Sequence, residues 1–280
     1  MFDRRWLRPG RRSVRAAVCA LTILGLVAAA LPARAQQFFV PSAPQHDRVR
    51  VSGFFWRAKP SGRVDFTALA EVPGFEDGVE FADLGLTEPA TGWIVEGNVA
   101  AGRRHRFIVE FARLENTAEV SIEVGNIPPF VDLVIDASAT VTLREFHADY
   151  NFLFVARPEV EAGLLVGVDW LDAAAGVRAD IGAVSGSIDQ AFPTFGANVL
   201  VYPKGPVRGY LELSGFPRVT IDDLSGWQLD LVARAEVFVI RNLGFLIGYR
   251  RYRLVLDFDD GGVALDAAWG GLTIGAQARF

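Results

Sequence analysis

The C-terminal segment of the chain constrains the fold most strongly, because its residues alternate in polarity and the chain ends on an aromatic residue. The apolar and small residues at every second position share one face of a strand, and these are Leu272, Ile274, Ala276, Ala278 and Phe280. Thr273, Gln277 and Arg279 fall on the other face. Such alternation indicates a β-strand. In a soluble sheet the apolar face would cover a core, whereas in a transmembrane barrel it would face lipid.

The first 35 residues have the pattern of a secretory signal peptide. Six arginines between positions 4 and 15 precede an apolar run over 16–31, and Ala33-Arg34-Ala35 supplies a small-x-small cleavage pattern. The run is shorter than the ~20 apolar residues of a spanning helix, so a membrane anchor is disfavoured. We expect cleavage near residue 35 and export of the remaining chain.

Composition narrows the class of protein further. The single cysteine, Cys19, lies in the predicted signal peptide, so disulfides, thiolate metal sites and cysteine nucleophiles are excluded from the mature chain. Removal of the basic leader leaves an acidic chain, which argues against nucleic acid as a partner. Hydrophobic residues make up 51% of the sequence, yet no later apolar run approaches the ~18 residues of a spanning helix. An exported apolar chain of this kind favours a membrane β-barrel.

Alternating segments recur along the chain and predict ten strands. Short turns at 101–104 and 156–159 join two of the strand pairs, and longer connections lie between the pairs. Outer-membrane barrels combine short periplasmic turns, longer external loops and an even number of strands. The predicted fold is therefore all-β, a single closed antiparallel transmembrane β-barrel of ten strands, with eight or twelve as the alternatives. Its first strand, 48–58, is expected to pair with the last.

The predicted domains are a signal peptide (1–35), a periplasmic N-terminal arm (36–47) and an outer-membrane β-barrel (48–280). We expect external loops at about 59–90, 116–138 and 172–192.

Two details of the lipid-facing surface can also be predicted. Aromatic residues end the apolar faces, as interfacial girdles do, and these are Trp93, Trp170, Trp227, Tyr249, Trp269 and Phe280. Leu265, Ala267 and Trp269 are out of phase with Leu272. Gly270-Gly271 is therefore predicted to be a β-bulge that restores the register of the last strand.

The opposite faces of the strands separate a barrel from a soluble β-sandwich, which also alternates. These faces carry few lysines and instead mix arginines, acids and glycines, a set suited to mutual pairing inside a narrow lumen. We expect the lumen to be largely filled by such a polar network, with Arg106, Glu110, Glu161, Asp169, Arg208, Glu212, Asp230, Arg234 and Glu236 as its members. An open general porin is therefore not expected.

The sequences of several hairpins resemble those of a known group of proteins. The segments GRRHRFIVEF, LGFLIGYRRYRLVLDFDDGG and GLTIGAQARF are similar to outer-membrane β-barrel domain proteins of Gram-negative bacteria, most of unassigned function. The resemblance covers nearly all of the chain after the predicted signal peptide. It implies one barrel in the bacterial outer membrane, whose C-terminal strand, with Phe280, Ala278 and Ile274, is the signal that the barrel-assembly machinery reads.

His147 is the one histidine that lies among acids, since Glu145 and Asp149 share its strand face. Ten-stranded omptin proteases resemble this arrangement in using acids and a histidine. The functional alternative is thus an outer-membrane enzyme, an omptin-like protease or a lipid A-modifying hydrolase, with His147 as general base. The favoured interpretation is structural: these groups pair with arginines such as Arg106, Arg208 or Arg234, deeper than the outer rim at which an omptin needs them.

Asp257, Asp259 and Asp260 precede two glycines and could offer oxygen ligands to Ca²⁺. A solvated Asp-Asp-Gly-Gly hairpin turn explains them without an ion, so neither a metal nor a cofactor is expected.

The predicted function is non-enzymatic: a structural, narrow-conduit or surface-interaction role in the outer membrane. The expected partners are outer-membrane lipids, lipopolysaccharide and the barrel-assembly machinery, with no nucleic acid, and the protein is expected to be a monomer.

Overall fold

A computed structural model describes residues 47–66, 78–124, 133–179, 182–202, 207–221, 224–240, 242–258 and 263–280. The predicted signal peptide and all of the predicted arm except Asp47 lie outside these residues. Within the described ranges, no helix is long and apolar enough to cross a membrane.

Twelve β-strands are present in the described part of the chain. They are β1 (Val49–Phe66), β2 (Val79–Glu80), β3 (Ala90–Ala100), β4 (His105–Val124), β5 (Leu133–Ala156), β6 (Val160–Ala179), β7 (Gly182–Val201), β8 (Val207–Gly215), β9 (Val219–Ile221), β10 (Leu224–Ile240), β11 (Leu243–Phe258) and β12 (Val263–Arg279). The short β2 and β9 pair with β1 and β10. The other ten form one antiparallel ring.

The ring closes between the first and last strands, as predicted. Arg50 on β1 lies opposite Arg279 on β12, and the pairing continues to Phe66 opposite Val263. The backbone N–H of Arg48 also donates to the carbonyl of Phe280 at 2.9 Å. The prediction of a closed ten-stranded barrel is therefore confirmed.

The two ends of the barrel differ in their connections. The end at which β1 begins and β12 ends, here called the turn end, also carries the short connections 101–104 and 157–159. At the opposite end, here called the loop end, β1 ends at Phe66 and β3 begins at Ala90. Short turns are typical of the periplasmic side of outer-membrane barrels.

In the turn-end half, the wall is apolar outside, and its inside holds the buried charged side chains together with apolar ones such as Ile108, Leu165 and Phe238. Phe55, Ile274 and Phe280 are 71%, 59% and 71% exposed on the outer surface. Arg50 and Ser52, which alternate with such residues on β1, are buried in the lumen. A closed wall that exposes large apolar side chains matches a lipid environment. This half confirms the predicted orientation of the apolar face.

In the loop-end half, the polarity of the two faces is exchanged. The inward residues form an apolar core whose largest fully buried members include Trp56, Trp269, Tyr252, Phe192 and Leu254. Phe81, Leu84 and Leu86, from the turn after β2, join this core. Most outward residues here are polar, with Trp227, Leu229 and Val255 on β10 and β11 as exceptions. The change occurs directly after Phe55 on β1, Phe111 on β4, Trp170 on β6 and Tyr249 on β11. The expectation of a lumen filled mainly by charged side chains is therefore wrong for this half.

The predicted β-bulge at Gly270-Gly271 is wrong. The register of β12 with both β1 and β11 is continuous through these glycines. Trp269 is 1% exposed and points into the core, so it does not belong to the outer aromatic girdle. Leu265, Ala267 and Trp269 are apolar and out of phase with Leu272 because they lie on the inner face, which is apolar in this half. The alternation of inward and outward side chains is not interrupted. Irregular register instead occurs near the turn end, between Leu153 and Val155 and between Phe238 and Ile240.

Strands occupy much of the predicted external loops, which corrects those boundaries. β1 continues to Phe66 within the expected loop 59–90, and β4 and β5 occupy all but the central residues of 116–138. The expected loop 172–192 is a hairpin paired as far as Ala179 opposite Gly182. Among the side chains described in these segments, the outward ones are polar or small, so the alternation used to find strands is weak there.

Candidate functional site

All nine predicted network residues face the lumen, and most of them lie in the turn-end half. They are buried or partly buried, on strands β4, β6, β8 and β10. We call the inward polar residues of this half the charged layer. Alternation places them there, because each follows or precedes an outward apolar residue on its strand.

The part of the charged layer nearest the turn end is a network of ion pairs. Arg208 contacts Glu236 at 2.7 Å and Asp47 at 2.9 Å. Arg234 contacts Glu96 at 2.7 Å, and Arg50 contacts the same carboxylate at 3.3 Å. Because low-dielectric burial makes unpaired charge costly, these contacts fix the side chains in place.

Arg250 connects the charged layer to the apolar core, and sequence reasoning missed it. Its guanidinium contacts Glu110, Glu145 and Asp230 at 2.8, 3.0 and 2.8 Å. It also lies 5.3 Å from the ring of Trp56 in the core. The available signal was its position among alternating residues, since Phe245, Ile247 and Tyr249 face outward and position 250 must therefore face inward.

His147 lies deep in the charged layer, beside the acids that share its strand face. Its Nε2 is 2.5 Å from Asp149 Oδ2, and the hydroxyl of Thr194 donates to Asp149 Oδ1 at 3.3 Å. Glu145, His147 and Asp169 each bring a potential ligand atom within 4.8 Å of the others, and all three residues are buried. We call these three residues the acid-histidine cluster.

The arginines that were expected to pair with this cluster pair elsewhere. Arg106 contacts Glu161 at 2.5 Å, and Arg208 and Arg234 contact Glu236 and Glu96 as described above. Glu145 is instead held by Arg250 and by the amide of Gln228, which donates to it at 3.1 Å. The network was predictable as a set of inward residues, but its pairing depends on which strands face each other across the lumen.

The acid-histidine cluster is separated from the loop-end rim by the apolar core. On β5 the next inward residue after Glu145 toward the rim is Leu143, and on β6 Leu171 follows Asp169. Both leucines are buried in that core. A substrate that approached from outside would have to cross these side chains to reach His147.

The remaining predicted site residues lie on the outer surface or outside the described residues. Asp257 is exposed on β11, and Asp259 and Asp260 are not among the described residues. Phe280 and Ile274 are exposed on the lipid-facing surface, and Ala278 lies partly buried on the same face. The predicted assembly signal is therefore accessible from the lipid side of the closing strand.

A basic cleft on the outer surface was not predicted from the sequence. Lys59 on β1 and Arg251 on β11 both lie opposite Gly270 on β12, so two cationic side chains flank a residue without one. The adjoining cavity has a volume of about 260 Å³ and is lined by Ser61, Gly62, Arg63, Glu80, Arg251, Arg253, Asp266 and Ala268. It begins where the outward face of β11 changes from Tyr249 to Arg251, at the edge of the apolar band.

A closed ring with an apolar outer band and a charged interior identifies the architecture. The chain has the fold of an outer-membrane β-barrel. No protein-family model matches the barrel sequence, and no curated protein matches it significantly.

Similar solved structures include barrels of Gram-negative bacteria. The outer-membrane protease OmpT of Escherichia coli is 10% identical, with 82% of this chain and 97% of that chain covered and a TM-score of 0.49. Ail, the attachment invasion locus protein of Yersinia pestis, is 13% identical, with 84% and 100% covered and a TM-score of 0.40. The translocator domain of autotransporter NalP from Neisseria meningitidis is 11% identical, with 84% and 90% covered and a TM-score of 0.43.

Proposed function

We propose that the protein is a sealed, non-enzymatic barrel of the bacterial outer membrane that acts at the cell surface through its projecting strands. The observation that carries this proposal is the filled interior, with the charged layer toward the turn end and the apolar core toward the loop end. The predicted role as a narrow conduit loses support, because hydrated ions cross apolar constrictions only when these are wet. In this barrel the apolar core fills the lumen on the loop-end side, and its members Trp56 and Trp269 are each 1% exposed.

A catalytic role for His147 has less support than a structural one. A hydrolase of the outer membrane needs its general base within reach of a substrate and of the proton that it abstracts. His147 lies beneath Leu143 and Leu171, and its ring is already engaged with Asp149. We therefore propose that Glu145, His147 and Asp149 stabilise the interior of the barrel.

The surface-interaction role rests on the strands that continue beyond the apolar band. β4, β5, β6 and β7 form a continuous wall there, because they are paired with one another almost to their tips. Its outward face carries small polar and charged side chains such as Thr117, Thr140, Ser185 and Ser187. A rigid, polar sheet outside the membrane is suited to contact with other surface molecules.

Planar-bilayer recordings test the sealed interior. Purified, refolded protein is expected to give no conductance steps above the leak of the bare bilayer, while a general porin inserted by the same procedure gives regular steps. Regular steps from this protein would contradict the sealed barrel. Insertion is verified independently by the gel-mobility shift between folded and heat-denatured forms.

Site-specific photo-crosslinking in intact cells tests the surface role. A photoreactive residue at Ser187, on the outer face of β7, is expected to form adducts with surface molecules. The same residue at Ile188, which points into the apolar core, is the matched control and should form none. Equal labelling at both positions, or none at Ser187, would contradict a role for this wall.

We further propose that the basic cleft binds the phosphate groups of lipopolysaccharide, the expected glycolipid partner. Arg63 and Arg253 are paired with Asp65 and Asp266, whereas Lys59 and Arg251 form no ion pair with a described residue. Cations at the edge of an apolar band lie at the depth of anionic head groups, where each contributes about 1 kcal/mol. The hydroxyl of Tyr249 lies over Gly270, so a phosphate would bind beside Arg251 in the adjoining cavity.

The C-terminal strand exposes lipid-facing residues, including Ile274 and Phe280, on the outer surface of the barrel. We propose that the barrel-assembly machinery reads this strand and that the closed product acts as a monomer.

A further inference from the structure

Beyond the proposed surface role, we infer that the acid-histidine cluster is a binding site for one divalent transition-metal cation, with Zn²⁺ as the representative ion. Glu145, His147 and Asp169 supply two carboxylates and one imidazole within 4.8 Å of one another. The site lies on adjacent strands β5 and β6, where His147 and Asp169 are directly opposite in register.

The burial of Asp169 indicates that its carboxylate needs a compensating cation. Asp169 is 0% exposed, and neither of its carboxylate oxygens makes a hydrogen bond of ordinary geometry with a residue that the structure describes, although the Glu145 and Gln228 side chains are close enough to interact with it. A buried carboxylate without a donor or a cation is strongly destabilised, because its charge loses the solvation that water provides. A cation at the cluster would supply the compensation.

The surrounding charges lead to the same conclusion. Arg250 is shared by three carboxylates, those of Glu110, Glu145 and Asp230. His147 is next to Asp149, and no arginine among the described residues forms an ion pair with Asp169. The cationic groups of this region are therefore Arg250 and, when protonated, His147. They face five carboxylates, those of Glu110, Glu145, Asp149, Asp169 and Asp230, and a divalent cation would reduce this excess of negative charge.

The ligand types fit a zinc-like ion better than calcium or magnesium. Imidazole nitrogen and carboxylate oxygen are ligands of Zn²⁺, which binds three or four protein groups, whereas Ca²⁺ and Mg²⁺ prefer oxygen donors throughout. A metal-binding histidine usually directs its other ring nitrogen to a carboxylate. Asp149 is placed for that supporting role, and Thr194 in turn holds Asp149.

Metal analysis of the tag-free, full barrel tests the inference. Unfolded protein is refolded in chelator-treated detergent at graded ZnCl₂ concentrations, so that the ion can enter before the barrel closes, and bound zinc is measured after free metal is removed. One equivalent is expected to bind to the wild type, and Asp169→Asn is expected to weaken binding by at least about tenfold. Asp172→Asn is the matched control, because Asp172 lies on the same strand but faces outward and pairs with Arg144; its affinity should equal that of the wild type.

Unfolding by urea provides a second readout that does not depend on metal analysis. Without metal, Asp169→Asn is expected to be more stable than the wild type, since it removes a buried charge. With Zn²⁺, the wild type should gain stability and the variant should not. The inference is overturned if the wild type binds no Zn²⁺, or if Asp169→Asn binds it as tightly as the wild type. If Asp169→Asn does not fold, His147→Gln provides the same comparison.

Discussion

Arg208 and Glu236 lie directly opposite each other on β8 and β10, and their side chains form an ion pair of 2.7 Å in which neither is exposed to solvent. Asp47 contacts the same guanidinium from the N-terminal side of β1. This pair therefore ties the start of the described chain to the strands on the far side of the closing seam.

The first prediction follows from this pair. Arg208→Met is expected to destabilise the folded barrel by about 3–5 kcal/mol, because it leaves Glu236 with less compensation in a buried site. Replacing both residues by methionine should cost less than the single change, since the fully buried Glu236 charge is also removed, and Asp47 keeps its contact with Arg279 at 3.6 Å. Urea unfolding in lipid vesicles, followed by gel mobility, measures both. A double variant less stable than Arg208→Met would contradict the prediction.

A second prediction concerns the direction in which Trp269 points. Trp269→Ala is expected to cost about 3–5 kcal/mol, since it leaves a cavity in the apolar core. Trp170→Ala removes the same side chain from the outer surface, where Trp170 is 53% exposed, and should cost clearly less. The same unfolding assay compares them. Equal losses would restore the interpretation of Trp269 as a lipid-facing girdle residue.

A third prediction uses the close approach of β1 and β12. A Cβ atom at Gly271 would lie 1.8 Å from the backbone oxygen of Arg57, whereas one at Gly53 would meet nothing within 4 Å. Gly271→Ala should therefore impair closure of the barrel, and Gly53→Ala should leave it intact. The yield of the heat-modifiable folded form after refolding provides the measurement. Normal folding of Gly271→Ala would show that the strands can separate there at little cost.

The fourth prediction tests the basic cleft. Substitution of Lys59 and Arg251 by glutamine should weaken binding of lipopolysaccharide by about 30-fold, at about 1 kcal/mol for each lost charge. The matched control replaces Arg113 and Arg144, which are also outward-facing but pair with Glu115 and Asp172. Binding is measured with purified barrel and lipopolysaccharide before and after enzymatic dephosphorylation.

The two arms of that experiment separate phosphate recognition from other lipid contact. Dephosphorylation should weaken binding to the wild type and have little further effect on the cleft variant. A wild type that binds both glycolipids equally well would remove phosphate from the proposal while leaving the sealed barrel unaffected.

The turn-end half could be predicted from the sequence because one physical rule governs it. Lipid outside and charge inside require alternation, so the orientation of residues such as Phe280 followed from the local pattern, and the pairing of the first and last strands followed from closure of the barrel. The number of strands followed as well, because each strand crosses the same apolar band.

The loop-end half could not be predicted in the same way. There the outward residues meet water and the inward residues form a core, so Trp269 looked like a lipid-facing residue displaced by a bulge. The individual ion pairs of the charged layer also could not be predicted from the sequence. Arg250 contacts Glu145 across 105 positions, and nothing local to either residue indicates the other. In contrast, the contact between His147 and Asp149 joins neighbours on one strand face and was visible in the sequence.

The exchange of polarity along each strand determines how the protein responds to its surroundings. Up to Phe55 on β1 the outer surface meets lipid, and from Arg57 onward it meets water. The free energy of unfolding therefore depends on two solvents at once. Urea and salt act on the loop-end half as on a water-soluble protein, while bilayer thickness acts on the turn-end half. Over one part of their length the ten strands have the apolar outer face of a membrane protein, and over the other part they have the polar outer face and apolar core of a water-soluble barrel.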